Sequence, residues 1–172
     1  MTIRTATIND LHILTQISEQ TFRDAFENNN TSAENFEGYV KKAFSLAQLK
    51  NEIESPDNIF LLVENDDTRA VGYGKLRKDN RRKELLNGVD SIEIERIYAT
   101  KEYWGKGVGT ILMLRMLELT HELNYKYICL AVYEENPKAI RFYERFGFKS
   151  VGMVEFKLGD IVEHDVLMLK EM

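Results

Sequence analysis

The chain has one cysteine, one tryptophan and two prolines among its 172 residues. A single cysteine excludes a disulfide within the chain. Because Cys129 lies in the apolar segment ICLAV, we expect a small buried side chain there and not a nucleophile. The three histidines, His12, His121 and His164, are scattered without the spacing of metal ligands, so no metal site is predicted.

A long apolar run and an excess of positive charge are also absent. No uninterrupted apolar segment approaches the roughly 20 residues of a membrane-spanning helix. The first residues, MTIRTATINDL, contain no signal-peptide core, so we expect a cytoplasmic protein without a membrane partner. The net charge of −5 argues against nucleic acid as the main partner. The hydrophobic fraction of 44% and the length of 172 residues favour one soluble domain, residues 1–172.

The most informative stretch runs from Ser91 to Phe148. Its first part, Ile92 to Tyr98, is rich in β-branched residues and is predicted to be a strand. Gly105, Gly107 and Gly109 follow at alternate positions, directly before an apolar run with helical spacing. A strand, a glycine-rich turn and a helix N-terminus together expose several backbone N–H groups to one point. This arrangement predicts a loop that binds phosphate.

The spacing of the glycines excludes two common phosphate loops. A nucleoside-triphosphate loop needs Gly-Lys followed by Ser or Thr, whereas Lys106 is followed by Gly107. A dinucleotide loop needs G-x-G-x-x-G, whereas this loop is G-x-G-x-G. An ordinary helix-entry turn stays open as the simpler interpretation of the glycines alone. Further along, Asn136-Pro137 opens a short helix with a cap and a proline at its first position, and Gly147 closes it.

Glu93 to Phe148, with the second motif Asn136, Ala139, Tyr143, Gly147 and Phe148, resembles the GNAT superfamily of acyl-CoA-dependent N-acyltransferases. The resemblance implies an α/β (α+β) fold with a mixed, mostly antiparallel sheet of about seven strands flanked by helices in a single domain. It implies acetyl-CoA as co-substrate, bound by Ile97, Tyr98, Ala99, Trp104, Gly105, Lys106, Gly107, Val108, Gly109, Thr110, Asn136, Lys138 and Tyr143. Trp104 departs from the pattern, since the family usually has Arg or Gln there.

The rest of the chain is predicted from local patterns. Thr2–Ala6 favours a strand, and helices are expected from Asn9 or Asp10, over Ala33–Phe44 and over Ala47–Glu54. Two hairpins are predicted, around 66–69 and around Gly159-Asp160. The basic run Arg77–Gly88 is interpreted as an exposed loop; contact of its first part, Arg77–Lys83, with the 3′-phosphate of CoA is the alternative. From Thr21 to the C-terminal strand, the chain is similar to the PaiA-type spermidine/spermine N-acetyltransferases.

Acetyl transfer to an amine needs a neutral nitrogen, although an alkyl ammonium has a pKa of about 10.4. Glu93 and Glu95 are candidate general bases, because they share one face of the strand before the loop. The alternative is that they are exposed or that Glu95 pairs with a basic side chain. Tyr143 matches the family tyrosine near the thioester sulfur and suits a general acid; a core tyrosine is the alternative. A backbone N–H of Ile97–Ala99 can stabilise charge on the carbonyl oxygen.

For the acceptor, the N-terminal helices supply both carboxylates and aromatic rings. The candidate acceptor-binding residues are Asp24, Glu27, Glu34, Glu37 and Tyr39. Ordinary amphipathic helices explain the same pattern. The sequence therefore predicts an N-acetyltransferase acting on a small-molecule amine, with spermidine or spermine as the leading acceptors. The alternatives are a protein α-amine, lysine, an amino sugar or a drug as acceptor, or a module that senses acyl-CoA. Relatives are often dimers, so a homodimer is also expected from the resemblance.

Overall fold

In the computed structural model, which describes residues 1–26, 32–158 and 161–172 (the backbone alone at 156–158 and 161), seven strands form one sheet. The strands are β1 (Thr2–Thr5), β2 (Asn58–Glu64), β3 (Ala70–Arg77), β4 (Ile92–Ala99), β5 (Tyr127–Tyr133), β6 (Lys149–Leu158) and β7 (Ile161–Glu171). The α-helices are α1 (Leu11–Phe26), α2 (Ala33–Ala43), α3 (Leu46–Glu54), α4 (Val108–Glu122) and α5 (Pro137–Arg145). These bounds confirm the predicted order of elements to within a few residues.

The strand order is β1-β2-β3-β4-β5-β7-β6. All neighbouring strands are antiparallel except β4 and β5, which are parallel and are joined through α4. The predicted mixed, mostly antiparallel sheet is therefore confirmed, as are the hairpin β2–β3 and the pairing of β6 with β7; the predicted turn Gly159-Asp160 lies outside the described residues.

The parallel pair β4–β5 separates part-way along its length. Pairing runs from Ile92, opposite Ile128, to Ile94, opposite Leu130, although β4 continues to Ala99. On its other edge β4 contains a bulge, since Lys75 is paired with Arg96 and the next residue of β3 is already paired with Ile94. A bulge bends a strand and increases its twist. The bend carries the second half of β4 away from β5 and opens a wedge-shaped gap, called the wedge below.

The two faces of the sheet are covered differently. Helices α4 and α5 cover one face, where the main core includes Leu112, Met116 and Tyr143. Helices α1 and α3 cover the other face over β2 and β3, and this second core includes Leu14 and Leu49. We call these the α4 face and the α1 face.

Two glycines on β3 determine how closely α4 approaches the sheet. A Cβ on Gly72 would collide with the Val108 side chain, and a Cβ on Gly74 would collide with the Met116 side chain. Because only hydrogen occupies those positions, the first turn of α4 lies directly against the sheet beside the end of β4. The N-terminus of α4 is thereby fixed at the wedge.

Two local predictions need correction. A short 3₁₀ turn, Ile8–Asp10, precedes α1, and the Asp10 carboxylate accepts a hydrogen bond from the Thr7 amide at 2.8 Å instead of capping α1. Asp10 takes this position because it also binds the Arg4 guanidinium at 2.8 and 2.9 Å.

The run Arg77–Gly88 is not simply an exposed loop. Leu86 is buried in a small third core on the α1 face, together with Cys129, Val154 and Leu167. Arg81 and Arg82 both bind the buried carboxylate of Glu93. A buried carboxylate is stable only with such partners, so these ion pairs hold the basic segment against the sheet.

Candidate active site

The glycine-rich loop between β4 and α4 has the geometry of an anion site. Gly105 and Gly107 have φ of +75° and +90°, a region that residues with a Cβ rarely adopt. Within the described part of the chain, the amides of Val108, Gly109 and Thr110 donate to no backbone carbonyl. A helix of 15 residues therefore offers free N–H groups and the positive end of its dipole at one point.

The side chains of this loop contribute less than its backbone. The Trp104 indole N–H donates to the Ala99 carbonyl at 2.9 Å, which ties the start of the loop to the last residue of β4. The Lys106 ammonium lies 5.2 Å from the centre of the Tyr103 ring. That Trp104 and Lys106 contact the co-substrate stays a prediction.

The wedge leaves one edge of β4 open. On one side, Ile97–Ala99 is paired with Gly72–Gly74 of β3. On the other side, the pairing with β5 ends at Ile94. Among the described residues, no strand pairs with that edge of Ile97–Ala99, so its backbone groups can hydrogen-bond an extended amide chain as another strand would.

Tyr143 lies on α5 beside the wedge. The Asn136 side chain caps α5 by accepting from the Ala139 amide at 3.0 Å, and Gly147 ends the helix with φ of +87°. The Tyr143 ring packs between Phe142 and Phe148. Burial raises the pKa of the Tyr143 phenol, so this phenol is protonated at neutral pH.

Tyr98 lies on the second half of β4, the part of the strand that leaves β5. Burial raises the pKa of its phenol well above the usual value, and the phenols of Tyr73, Tyr39 and Tyr143 add to the increase. The Tyr98 ring stacks on that of Tyr73 of β3 with centroids 6.0 Å apart. Two aromatic rings therefore lie together on the α1 face, beside the part of β4 that leaves β5.

Glu95, one of the two predicted bases, is held in a buried ion cluster. The Lys75 ammonium is 1% exposed and lies 2.9 Å from both Glu95 and Glu52. Arg96 binds Glu52 at 2.8 Å, and Arg77 lies 3.4 Å from Glu95. Burial alone would raise the pKa of Glu95, but Arg96 and Lys75 outweigh it and lower the value to about 2. Such a carboxylate is a poor acceptor for an ammonium proton.

Glu93 is likewise committed to ion pairs. Its carboxylate accepts from Arg81 at 2.6 and 2.8 Å and from Arg82 at 3.1 Å. Its side chain is 4% exposed. Both glutamates are therefore paired with basic side chains, as the alternative interpretation of Glu95 expected. A base role for Glu93 or Glu95 stays a prediction that this geometry does not favour.

The predicted acceptor carboxylates that the structure describes have different partners. Asp24 accepts from the Lys101 amide at 3.2 Å, and Glu37 forms a two-point ion pair with Arg23 at 2.5 and 3.0 Å. Glu34 is exposed in the first turn of α2, and Glu27 lies outside the described residues.

Tyr39 lies deeper than those carboxylates. Its ring stacks on Phe22 with centroids 5.1 Å apart. Burial raises the pKa of the Tyr39 phenol, although Arg96 opposes the increase. Tyr39 therefore packs in the aromatic cluster between α1 and α2, and its contact with the acceptor stays a prediction.

Two carboxylates at the end of the wedge were not predicted. Asp165 and Glu163 lie on β7, where the Asp165 Cα is paired with that of Tyr133, the last residue of β5. Burial raises the pKa of both carboxyls; Asp165 adds to the increase at Glu163, while Arg82 opposes the increase at Asp165. The available signal was the alternation of acidic and apolar residues in IVEHDVLML, which marks acidic side chains on one face of a strand.

No three His, Cys, Asp or Glu side chains are grouped as metal ligands among the described residues. No described helix is both long enough and apolar enough to cross a membrane.

A family model, the acetyltransferase (GNAT) family, matches residues 19–148. The chain belongs to this GNAT family. An uncharacterized N-acetyltransferase of Lactobacillus delbrueckii subsp. lactis is 32% identical over 161 residues, covering 94% of this chain and 91% of the relative. An uncharacterized N-acetyltransferase of Mycobacterium tuberculosis is 29% identical over 140 residues, 81% of this chain and 83% of the relative.

Solved structures share the whole fold with this GNAT chain. The PaiA N-acetyltransferase of Thermoplasma acidophilum, in complex with coenzyme A, superposes with a TM-score of 0.77 at 23% identity over 100% of both chains. A chimera of the spermidine N-acetyltransferase SpeG of Vibrio cholerae has a TM-score of 0.66 at 24% identity, covering 98% of this chain and 94% of that one. At these identities the likeness shows the fold. The predicted resemblance to GNAT and PaiA-type proteins is confirmed.

As a GNAT acetyltransferase, the protein takes the acetyl group from acetyl-CoA. The described residues fit this co-substrate. Free amides at the start of α4 suit the phosphates. The open edge of β4 suits the amides of the pantetheine arm.

Proposed function

We propose that this GNAT enzyme acetylates a primary amine of a polyamine such as spermidine or spermine, within a ternary complex with acetyl-CoA. The observation that carries the N-acetyltransferase part of the proposal is the wedge: an open edge of β4 leads, through the loop 100–107, to a helix N-terminus with free amides. Acetyl-CoA supplies the activated acetyl thioester. The protein supplies the position of the amine, the removal of its proton and a proton for the sulfur.

The loop Trp104–Thr110 holds the pyrophosphate chiefly through backbone amides, and Ile97–Ala99 pairs with the pantetheine arm. Lys138 contacts a phosphate from the start of α5. The position of Lys138 supports this contact, because its side chain is exposed and lines an open cavity of about 500 Å³ with Arg141 and Arg145. A role for the run Arg77–Lys83 at the 3′-phosphate is less well supported, because Arg77, Arg81 and Arg82 all have carboxylate partners.

Tyr143 gives its proton to the departing sulfur. The phenol carries its proton at pH 7, but because burial raises its pKa above that of the thiol that forms, about 8.5 when free, the proton transfer itself is uphill. Transfer is direct from thioester to amine and does not pass through the protein's cysteine. Burial raises the pKa of the Cys129 thiol to about 11, so a nucleophilic thiolate is scarce there.

The choice of a polyamine rests on the acceptor side. A polyamine needs carboxylates for its ammonium groups and apolar or aromatic walls for its methylene groups. Tyr39 and Tyr98 supply such a wall, and Glu163 and Asp165 supply partly buried carboxylates at the end of β5. The fold shared with SpeG, which is named a spermidine N-acetyltransferase, adds support.

The test is thiol release from acetyl-CoA, followed with a thiol-reactive dye, with spermine, spermidine, putrescine, lysine peptides and amino sugars as acceptors. We expect turnover with the longer polyamines. Faster turnover on another amine would reject the polyamine and retain the N-acetyltransferase. Binding of CoA without turnover on any of these amines would favour a sensing module instead.

A further inference from the structure

We propose that Asp165 is the general base that removes the proton from the attacking amine, an assignment that rests on the proposed function. The reaction needs a base beside the wedge, and the acidic residues on β4 are tied to basic side chains. Asp165 lies at the same end of the wedge on a different strand, β7.

The position of Asp165 follows from the register of β5 and β7. Its Cα is paired with Tyr133, and that of Leu167 is paired with Ala131, without a bulge between the pairs. Leu167 belongs to the core on the α1 face. Since side chains two residues apart on a strand share a face, Asp165 also points to the α1 face. It lies one strand spacing, about 4.8 Å, from β5, which forms one side of the wedge.

The α1 face is also the side from which an acceptor reaches the thioester. On the α4 face, α4 and α5 pack over the wedge, and Tyr143 extends from α5. An amine that approaches opposite Tyr143 therefore comes to the face on which Asp165 lies, with β5 between Asp165 and the wedge. The acid and the base then lie on opposite faces of the sheet, so that each can serve a different atom, Tyr143 the sulfur and Asp165 the nitrogen.

The charges around Asp165 suit a base. Glu163, two residues away on β7, shares the face of Asp165, and Glu134 directly follows β5. Arg82, from the segment 78–91, is the basic side chain whose charge acts on Asp165. Arg82 lowers the pKa of Asp165 through its charge, while its ion pair is formed with Glu93 at 3.1 Å. On the opposite face, the ring of His164 points away and lies 3.8 Å from Glu134. Burial and Glu134 raise the pKa of Asp165, which brings its proton affinity closer to that of an amine.

In the step itself, Asp165 takes one proton from the ammonium group, and the neutral nitrogen then forms a bond to the carbonyl carbon while the carbon–sulfur bond breaks. The second proton leaves nitrogen for solvent as the amide forms, and Tyr143 gives a proton to sulfur. Exchange with solvent then restores both groups. Electrons and protons balance without any further reactant.

The test compares Asp165→Asn with a matched variant, Glu155→Gln. Glu155 is exposed on the same hairpin and its Cα is paired with that of His164, so it lies on the other face. We expect Asp165→Asn to lower kcat at pH 7 by roughly 100-fold or more, the contribution typical of a general base. The loss should shrink to less than about tenfold near pH 10, because roughly a quarter of an amine of pKa about 10.4 is then neutral already, against well under 0.1% at pH 7. Glu155→Gln should retain activity at both pH values.

The fluorescence of Trp104 reports whether CoA still binds to each variant. Unchanged CoA affinity with the pH-dependent loss supports Asp165 as the base. An unaltered rate in Asp165→Asn, a loss independent of pH, or the same loss in Glu163→Gln alone would overturn the assignment while the proposed function stands. Failure of the unaltered enzyme to acetylate any amine would overturn both.

Discussion

Replacing Lys75 by Met removes the central charge of the buried cluster while retaining a side chain of similar length. In the unaltered protein the Lys75 ammonium lies 2.9 Å from Glu52 and from Glu95, whose side chains are 11% and 15% exposed. Without Lys75, Arg96 and Arg77 are left to compensate two buried carboxylates. Breaking a buried pair by removal of one partner costs about 3–5 kcal/mol in the free energy of unfolding.

The pKa of Glu95 gives a second value for the stabilisation that its basic partners provide. Its partners lower that pKa from the ordinary 4.5 to about 2. At 1.36 kcal/mol for each unit, this corresponds to roughly 3 kcal/mol, shared among Arg96, Lys75 and the other basic groups. Lys75 supplies only part of this value at Glu95, but its removal also takes one partner from Glu52, so we expect Lys75→Met to cost about 3 kcal/mol at pH 7, the low end of the range for a broken buried pair.

The loss should also depend on pH in a defined direction. Because the pKa of Glu95 is lower in the folded than in the unfolded protein, its contribution to stability is fully present above about pH 4.5. It decreases as the pH falls towards about 2. The difference between Lys75→Met and the unaltered protein should therefore be largest at neutral pH and smaller at pH 3.

Urea unfolding at pH 7 and pH 3 measures both quantities. Lys50→Met is the control, since Lys50 is exposed on the neighbouring helix α3. It should change the free energy of unfolding by less than about 0.5 kcal/mol. A loss below about 1 kcal/mol in Lys75→Met, or one of equal size at both pH values, would refute the reasoning.

Three further substitutions test the donor side of the site, meaning the residues predicted to hold acetyl-CoA and to act on its thioester. Tyr143→Phe should lower kcat by about 100-fold with unchanged CoA affinity, because only the phenolic proton is lost; equal turnover in a thiol-release assay would contradict its role as acid. Gly107→Ala should weaken CoA binding by about 1–2 kcal/mol, since φ of +90° strains a residue with a Cβ; calorimetry showing equal affinity would argue against that loop conformation. Trp104→Phe removes the hydrogen bond to Ala99 and should raise KM for acetyl-CoA by less than about tenfold; a change in kcat alone would contradict a role in positioning the loop.

The donor side of the site could be predicted because its determinants are local. Gly107 is needed for its own φ, and Asn136 caps the helix that begins at the next residue. The turn residues between β2 and β3 likewise act over a few positions. Such features are determined by neighbouring residues, so their spacing in the chain is sufficient to identify them.

The state of the carboxylates on the acceptor side, where the amine binds, depends on contacts between residues that are distant in the sequence. Whether Glu95 is a free base or half of an ion pair depends on Lys75 and on Arg96, which the bulge in β4 turns towards α3. The position of Asp165 beside the wedge depends on a register across β5 and β7. Side-chain types along the sequence were sufficient to predict the family, its fold and its co-substrate. The tertiary structure decided which carboxylates keep their proton affinity, because burial and partner charge arise only when the strands and helices come together.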